Sequence, residues 1–181
     1  MSNRLYGAIE AAIPDRGKAL IELTDGTRIS YGEVFDLAAK LAAHLIRRNV
    51  VPGDRVAVQV EKSWQNLALY LACIRAGAVY LPLNTAYPLA ELEYFLGDAQ
   101  PTFVVVRPES EDNVCRLCLR IGKASVESLG QNGEGSLLSA AADAPPAPVV
   151  SRGADDLAAI LYTSGTTGRS KGAMLTHDNL L

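Results

Sequence analysis

The sequence predicts an α/β fold in which helices flank a mostly parallel sheet. Short apolar runs alternate with stretches of helical periodicity, and turn or capping residues punctuate the junctions between them. Runs such as Arg55-Val-Ala-Val-Gln-Val60 and Thr102-Phe-Val-Val-Val106 are apolar almost throughout, as strands covered on both faces are. With 181 residues, 49% of them hydrophobic, the chain is long enough for one sizeable core.

The elements follow in order. Ala19–Leu23 and Thr27–Ser30 flank Asp25-Gly26, a strong hairpin signal. Ser30 with Glu33 three residues later reads as a capping box. From there Val34, Leu37, Ala38, Leu41 and Leu45 repeat at helical spacing to about Arg48. Glu33, Asp36, Lys40, His44 and Arg47 line the other face, so His44 is expected in solvent.

Val51-Pro-Gly-Asp54 turns the chain into the strand Arg55–Val60. Ser63 caps a helix over Trp64–Ala76 that Gly77 ends. That helix is apolar nearly all round, which makes Trp64, Tyr70 and Cys73 core residues. A strand over Val79–Leu83, a helix from Pro88 to about Ala99 and a strand over Thr102–Val106 complete the alternation. The stretch of about 107–150 is less regular. It holds a short helix, a glycine-rich turn at Gly130–Gly135 and the run Ala144-Pro-Pro-Ala-Pro148, and reads as a peripheral excursion ending in a surface linker. Leu157–Tyr162 is then the strand that feeds the richest segment of the chain.

Composition excludes several classes of function. A net charge of −3 argues against general nucleic-acid binding, which wants a basic face. No apolar run reaches the length of a membrane span. The start, Met1-Ser-Asn-Arg-Leu-Tyr6, lacks the features of a signal or transit peptide, so a cytoplasmic protein is expected. Cys115 and Cys118 form a C-x-x-C, a spacing open to zinc or redox chemistry. The only histidines, His44 and His177, lie far away in sequence, and the flanking Val114, Leu117 and Leu119 favour two cysteines sharing one helix face.

The segment Thr163-Ser-Gly-Thr-Thr-Gly-Arg-Ser-Lys-Gly172 concentrates glycines, hydroxyls and positive charge directly after a strand. Glycines let backbone approach a ligand closely, and amide and hydroxyl donors with a lysine suit a phosphate. A Walker loop is excluded, because Ser170 stands where its second glycine belongs and Gly172 where its Ser/Thr belongs. The dinucleotide fingerprint fails too, since position 163 carries threonine.

What remains resembles the signature of the adenylate-forming superfamily of acyl-CoA synthetases, luciferases and peptide-synthetase adenylation domains. Thr163–Lys171 follows that signature at every constrained position, with Ser170 where many members carry proline. Ile29-Ser-Tyr-Gly-Glu-Val34, Val51-Pro-Gly-Asp-Arg-Val-Ala-Val58 and Arg75-Ala-Gly-Ala-Val-Tyr-Leu-Pro-Leu-Asn84 resemble family motifs and fall in the family's order. Within the superfamily, Tyr80–Tyr87, Arg152–Ile160 and Met174–Leu180 are most similar to bacterial malonyl-CoA synthetases.

The resemblance implies the amino-terminal part of the large domain of such an enzyme, truncated, with the rest of the AMP-binding domain and the carboxy-terminal domain absent. It implies an ATP-dependent acid–CoA ligase that forms an acyl-adenylate and then a thioester of coenzyme A, with Mg2+ as the metal and malonate or methylmalonate as the acid. Thr163, Ser164, Gly165, Thr166, Thr167, Gly168 and Lys171 are implied to contact ATP. Arg169 occupies an unconstrained position. No catalytic residue and no metal ligand is assignable within the chain, and the 181 residues alone are expected to be inactive. Two other readings stand beside this one: an adenylation domain that loads a carrier-protein thiol, and a short non-catalytic nucleotide-binding module. His177 is read as structural, near a helix start that Thr176 also competes to cap.

Overall fold

The computed structural model describes residues 3–122, 124–163 and 170–181. A first helix, α1 (Arg4–Ala11), escapes the sequence reading because it is only eight residues long, although Leu5, Tyr6 and Ile9 give it a core-facing side. Asn3 anchors it: its side chain accepts from the Tyr6 amide and donates to the carbonyls of Ile74 and Val150. Strands β1 (Ala19–Glu22) and β2 (Arg28–Ser30) form the expected hairpin, followed by α2 (Tyr31–Arg47) with both halves of the Ser30–Glu33 capping box made.

The main sheet then builds up through β3 (Arg55–Gln59), α3 (Trp64–Ala76), β4 (Val79–Pro82), α4 (Leu89–Ala99) and β5 (Phe103–Val106). Gly77 closes α3 at φ +74°, where a Cβ would press on Val150 and Arg152. After β5 come α5 (Glu111–Ile121), β6 (Ser125–Ser128), α6 (Ser136–Ala141), β7 (Leu157–Thr163) and β8 (Lys171–Thr176), with a closing 3-10 turn at Asp178–Leu180. The strand order is β6-β5-β3-β4-β7-β8; the first five run parallel and β8 returns antiparallel to β7.

Two layers of helix cover this sheet. On one face α1, α2, α3 and α6 pack over Val56, Val58, Phe103 and Val105. On the other, α4 and α5 bury Ala57, Leu81, Val104 and Val106 beneath Leu92, Phe95, Leu96 and Leu117. The helices after β3 and β4 therefore lie on opposite faces, as in a doubly wound sheet.

Two expectations are corrected here. The stretch after β5 is more ordered than its composition suggests, since it supplies the edge strand β6 and the helix α6. His44 is not in solvent. It is 5% exposed, and its Nε2 lies 2.8 Å from Glu127 Oε2 on β6. The reason is tertiary: α6 and β6 return to roof the polar face of α2, and Lys40 and Arg47 reach the carbonyls of Ala142 and Ala140 there. Helical periodicity marks the face toward the nearest core and cannot register an element that arrives some eighty residues later.

Candidate phosphate-loop site

Strand β7 ends at Thr163 and β8 begins at Lys171, and the two residues are cross-strand partners. They close the antiparallel stem formed by β7 and β8, and the other implied phosphate contacts fall between them in sequence. Thr163 and Lys171 are both exposed, so hydroxyl and ammonium are open to a ligand. Ser164, Gly165, Thr166, Thr167 and Gly168 lie outside the described residues. Because β7 runs parallel to β4, the hairpin rises from the carboxyl rim of the sheet, the edge where doubly wound folds bind ligands.

Gly172 differs from its sequence reading. It sits inside β8 opposite Tyr162, and a Cβ there would come within 2.9 Å of Ile160 Cγ2. The missing side chain makes room for neighbouring residues of β7 and not for a ligand.

At the same rim, the chain switches direction between β3 and β4. The exits of these strands enclose a crevice of about 330 Å³ lined by Val60, Glu61, Lys62, Leu83, Asn84 and Thr85. Nearby, Gln59 donates its side-chain amide to the carbonyls of Asn84 at 2.9 Å and Tyr87 at 3.1 Å, which holds the chain after β4 against the end of β3. Beside it, Arg107 at the end of β5 faces Glu61 at 3.6 Å and Glu109 at 3.4 Å. Sequence reasoning missed this crevice, which exists only once the strand order is known.

The upstream motifs prove to be scaffolding. Ser30 and Glu33 start α2. Asp54 accepts from the Val51 amide and shapes the turn into β3. Arg75 donates to the Ala147 carbonyl and the Tyr6 hydroxyl, tying the 144–150 segment and α1 to α3.

His177 is fully buried, and its Nδ1 accepts the Leu5 amide at 3.2 Å. It serves α1 and not the hairpin tip, as its structural reading expects. Thr176 and Asn179 cap each other reciprocally at the closing turn. The C-x-x-C lies on α5 as expected, with Cys118 buried and Cys115 half-buried. Burial pushes the Cys118 thiol up to about 11, and burial and Glu111 raise that of Cys115. Neither is activated as a redox or metal-binding thiolate. Among the described residues no group of three or more His, Cys, Asp or Glu is placed to hold a metal, and no helix is long and apolar enough to cross a membrane.

The family model of the AMP-binding enzymes matches residues 10–181. The chain belongs to that family. It is 39% identical over 155 residues to a feruloyl-CoA synthase of Amycolatopsis sp, covering 86% of this chain and 30% of that protein. It is 32% identical over 179 residues to tyrocidine synthase 1 of Brevibacillus parabrevis, covering 98% of the chain and 15% of that protein. Among solved structures, apo MatB from Rhodopseudomonas palustris superimposes with a TM-score of 0.93 at 52% identity, over 99% of this chain and 36% of that one. An ATP-bound MatB structure from the same organism matches equally well, at 53% identity. The chain thus spans about a third of the length of the synthase and of MatB.

Proposed function

We propose that residues 1–181 form the amino-terminal portion of the AMP-binding domain of an ATP-dependent acid–CoA ligase. The observation that carries this reading is the pairing of Thr163 with Lys171 across the hairpin mouth, on the carboxyl rim of a doubly wound sheet. An ammonium and a hydroxyl at the base of a glycine-rich tip suit the β- and γ-phosphates of a nucleotide. Lys171 offsets charge that builds on departing pyrophosphate when a carboxylate attacks the α-phosphorus. The thiol of coenzyme A then attacks the carbonyl of the acyl-adenylate, which forms the thioester and releases AMP and a proton. Mg2+, which the family resemblance implies, would accompany the nucleotide and help neutralise its phosphates.

Malonate or methylmalonate is the acid we favour. The reading rests on the resemblance of Tyr80–Tyr87 and Arg152–Ile160 to malonyl-CoA synthetases and on the 52% identity to MatB. We propose a cytoplasmic location, a reducing compartment that suits its three free cysteines. The isolated 181 residues are proposed to be inactive.

The test is ATP–pyrophosphate exchange by the complete protein with malonate, methylmalonate, acetate and longer acids. Exchange with the dicarboxylates is expected, with a loss on the order of a hundredfold in Lys171→Ala. Exchange driven only by monocarboxylates would refute the malonate assignment, and an unaffected Lys171→Ala would refute the phosphate role. The match to tyrocidine synthase 1 supports a second reading, transfer to a carrier-protein thiol. Thioester formation with free coenzyme A separates the two.

A further inference from the structure

Helix α4 grips both stems of the phosphate-loop hairpin. On β7, the Tyr162 hydroxyl donates to Asp98 Oδ2 at 2.5 Å. On the returning side, the Tyr94 hydroxyl donates to the carbonyl of Ser170 at 3.0 Å. Tyr162 immediately precedes Thr163, and Ser170 immediately precedes Lys171. One contact thus fixes the side chain that precedes Thr163 and the other the backbone carbonyl that precedes Lys171.

The geometry is economical. Tyr94 and Asp98 are four residues apart, which puts them on one helix face with an axial offset of about 6 Å. Successive turns of one helix thus reach both stems. The helix itself is held firmly, because Leu92, Phe95 and Leu96 are buried against the sheet. Phe95 is the pivot, with its ring centroid 4.6 Å from that of Tyr162 and 4.8 Å from that of Tyr87. Burial and the Asp98 carboxylate both raise the Tyr162 phenol, so it stays a donor to well above neutral pH.

We propose that Tyr94 and Asp98 are positioning residues that set the separation and register of Thr163 and Lys171 for the nucleotide phosphates. Neither touches the phosphates. They act through the Ser170 carbonyl and the Tyr162 hydroxyl. This rests on the ATP reading of the hairpin.

The test uses the complete protein carrying Tyr94→Phe, Asp98→Ala and the pair, with Lys171→Ala alongside. Tyr94→Phe deletes one hydroxyl and leaves the aromatic packing, so KM for ATP in exchange is expected to rise about fivefold. The pair is expected to raise it on the order of thirtyfold, with KM for the acid and the melting temperature nearly unchanged. Asp98→Asn, which keeps an acceptor for Tyr162, is expected to restore most of the loss from Asp98→Ala. Hydrogen exchange gives a readout that needs no activity. The amides of Tyr162, Thr163, Lys171 and Gly172 are expected to exchange faster in the pair, while those of α2 and α3 hold their rates. An ATP KM unmoved in the pair while Lys171→Ala raises it would overturn the positioning role alone. Unchanged exchange at the stems, or a general loss of stability with every kinetic constant, would overturn it as well. A Lys171→Ala variant with unchanged ATP KM would instead overturn the nucleotide reading.

Discussion

The Nδ1 of His177 accepts the backbone amide of Leu5 at 3.2 Å, across 172 positions of sequence. An accepting Nδ1 requires a neutral ring with its proton on Nε2, and that nitrogen is buried without a hydrogen-bond partner among the described residues. The imidazole thus acts as a cap supplied from a distance to an early amide of α1. Asn3 caps the same helix locally, and Arg4 pairs with Asp178 at 2.8 Å, so two contacts, from His177 and Asp178, seat α1 near the end of β8.

Burial first, and the Arg152 charge second, hold the His177 ring below its ordinary pKa. Above about pH 6.5 the ring is neutral in the folded and unfolded chains alike. Below that, the unfolded chain takes up a proton that the folded chain resists, so stability falls as pH drops toward the lowered folded value. Melting temperatures between pH 7.5 and 5.5 are expected to show this slope and to flatten in His177→Gln. Equal slopes for both proteins would remove His177 as the cause.

The His44–Glu127 contact fastens the edge of the sheet to α2, with side chains only 6% and 8% exposed. Arg48 Nε adds a third group 3.2 Å from Glu127 Oε1. His44→Ala leaves Glu127 with Arg48 as its remaining partner and opens a gap against Phe103, so it is expected to lower stability by roughly 1–3 kcal/mol. Replacing both His44 and Glu127 by leucine is expected to cost less than the two single changes summed. Denaturant unfolding of the cycle checks this; strict additivity would show that the pair is not coupled.

Gly172→Ala is expected to destabilise the hairpin by about 1–3 kcal/mol, because the new methyl must displace Ile160. Ile160→Ala in the same background removes the obstructing Cγ2 and should recover part of the loss. If Gly172→Ala instead weakens ATP binding with no change in melting temperature, the ligand-facing reading of this glycine is the better one.

The cysteines should behave as packed side chains. With both thiols of the C-x-x-C raised, alkylation at pH 7.5 is expected to be slow, with the half-buried Cys115 ahead of Cys118 and the fully buried Cys73 last. Mass spectrometry of timed iodoacetamide reactions reads the order directly. Fast reaction at Cys118 would contradict its buried place on α5.

Local rules read most of the fold correctly. Ser30 with Glu33, Ser63 with Gly77, and Asp25-Gly26 are interactions between near neighbours, and each appears where the sequence puts it. Helix α1 carries one such signal, the Asn3 cap on the Tyr6 amide, but is tethered by distant partners, Asn3 to Ile74 and Val150; strand β6 lacks one and owes its place to the pairing of Val126 with Val104. The same division holds at the site. Thr163 and Lys171 are legible because glycines, hydroxyls and a lysine at that spacing have a chemical purpose. Tyr94 and Asp98 are not, because a tyrosine and an aspartate on a helix look like ordinary surface until the helix is laid against the hairpin.

The sequence by itself determined the alternation of strand and helix, most element boundaries, the family and the residues whose chemistry suits phosphate. These depend on periodicity, capping and backbone chemistry within a few residues. Only the tertiary structure decided that His44 is buried, that His177 caps the first helix, that Gly172 yields space to Ile160, and that α4 holds both stems of the hairpin. Each of those depends on which surfaces meet when the strands take their order. That order is set by contacts summed over the whole sheet, and no local pattern encodes it.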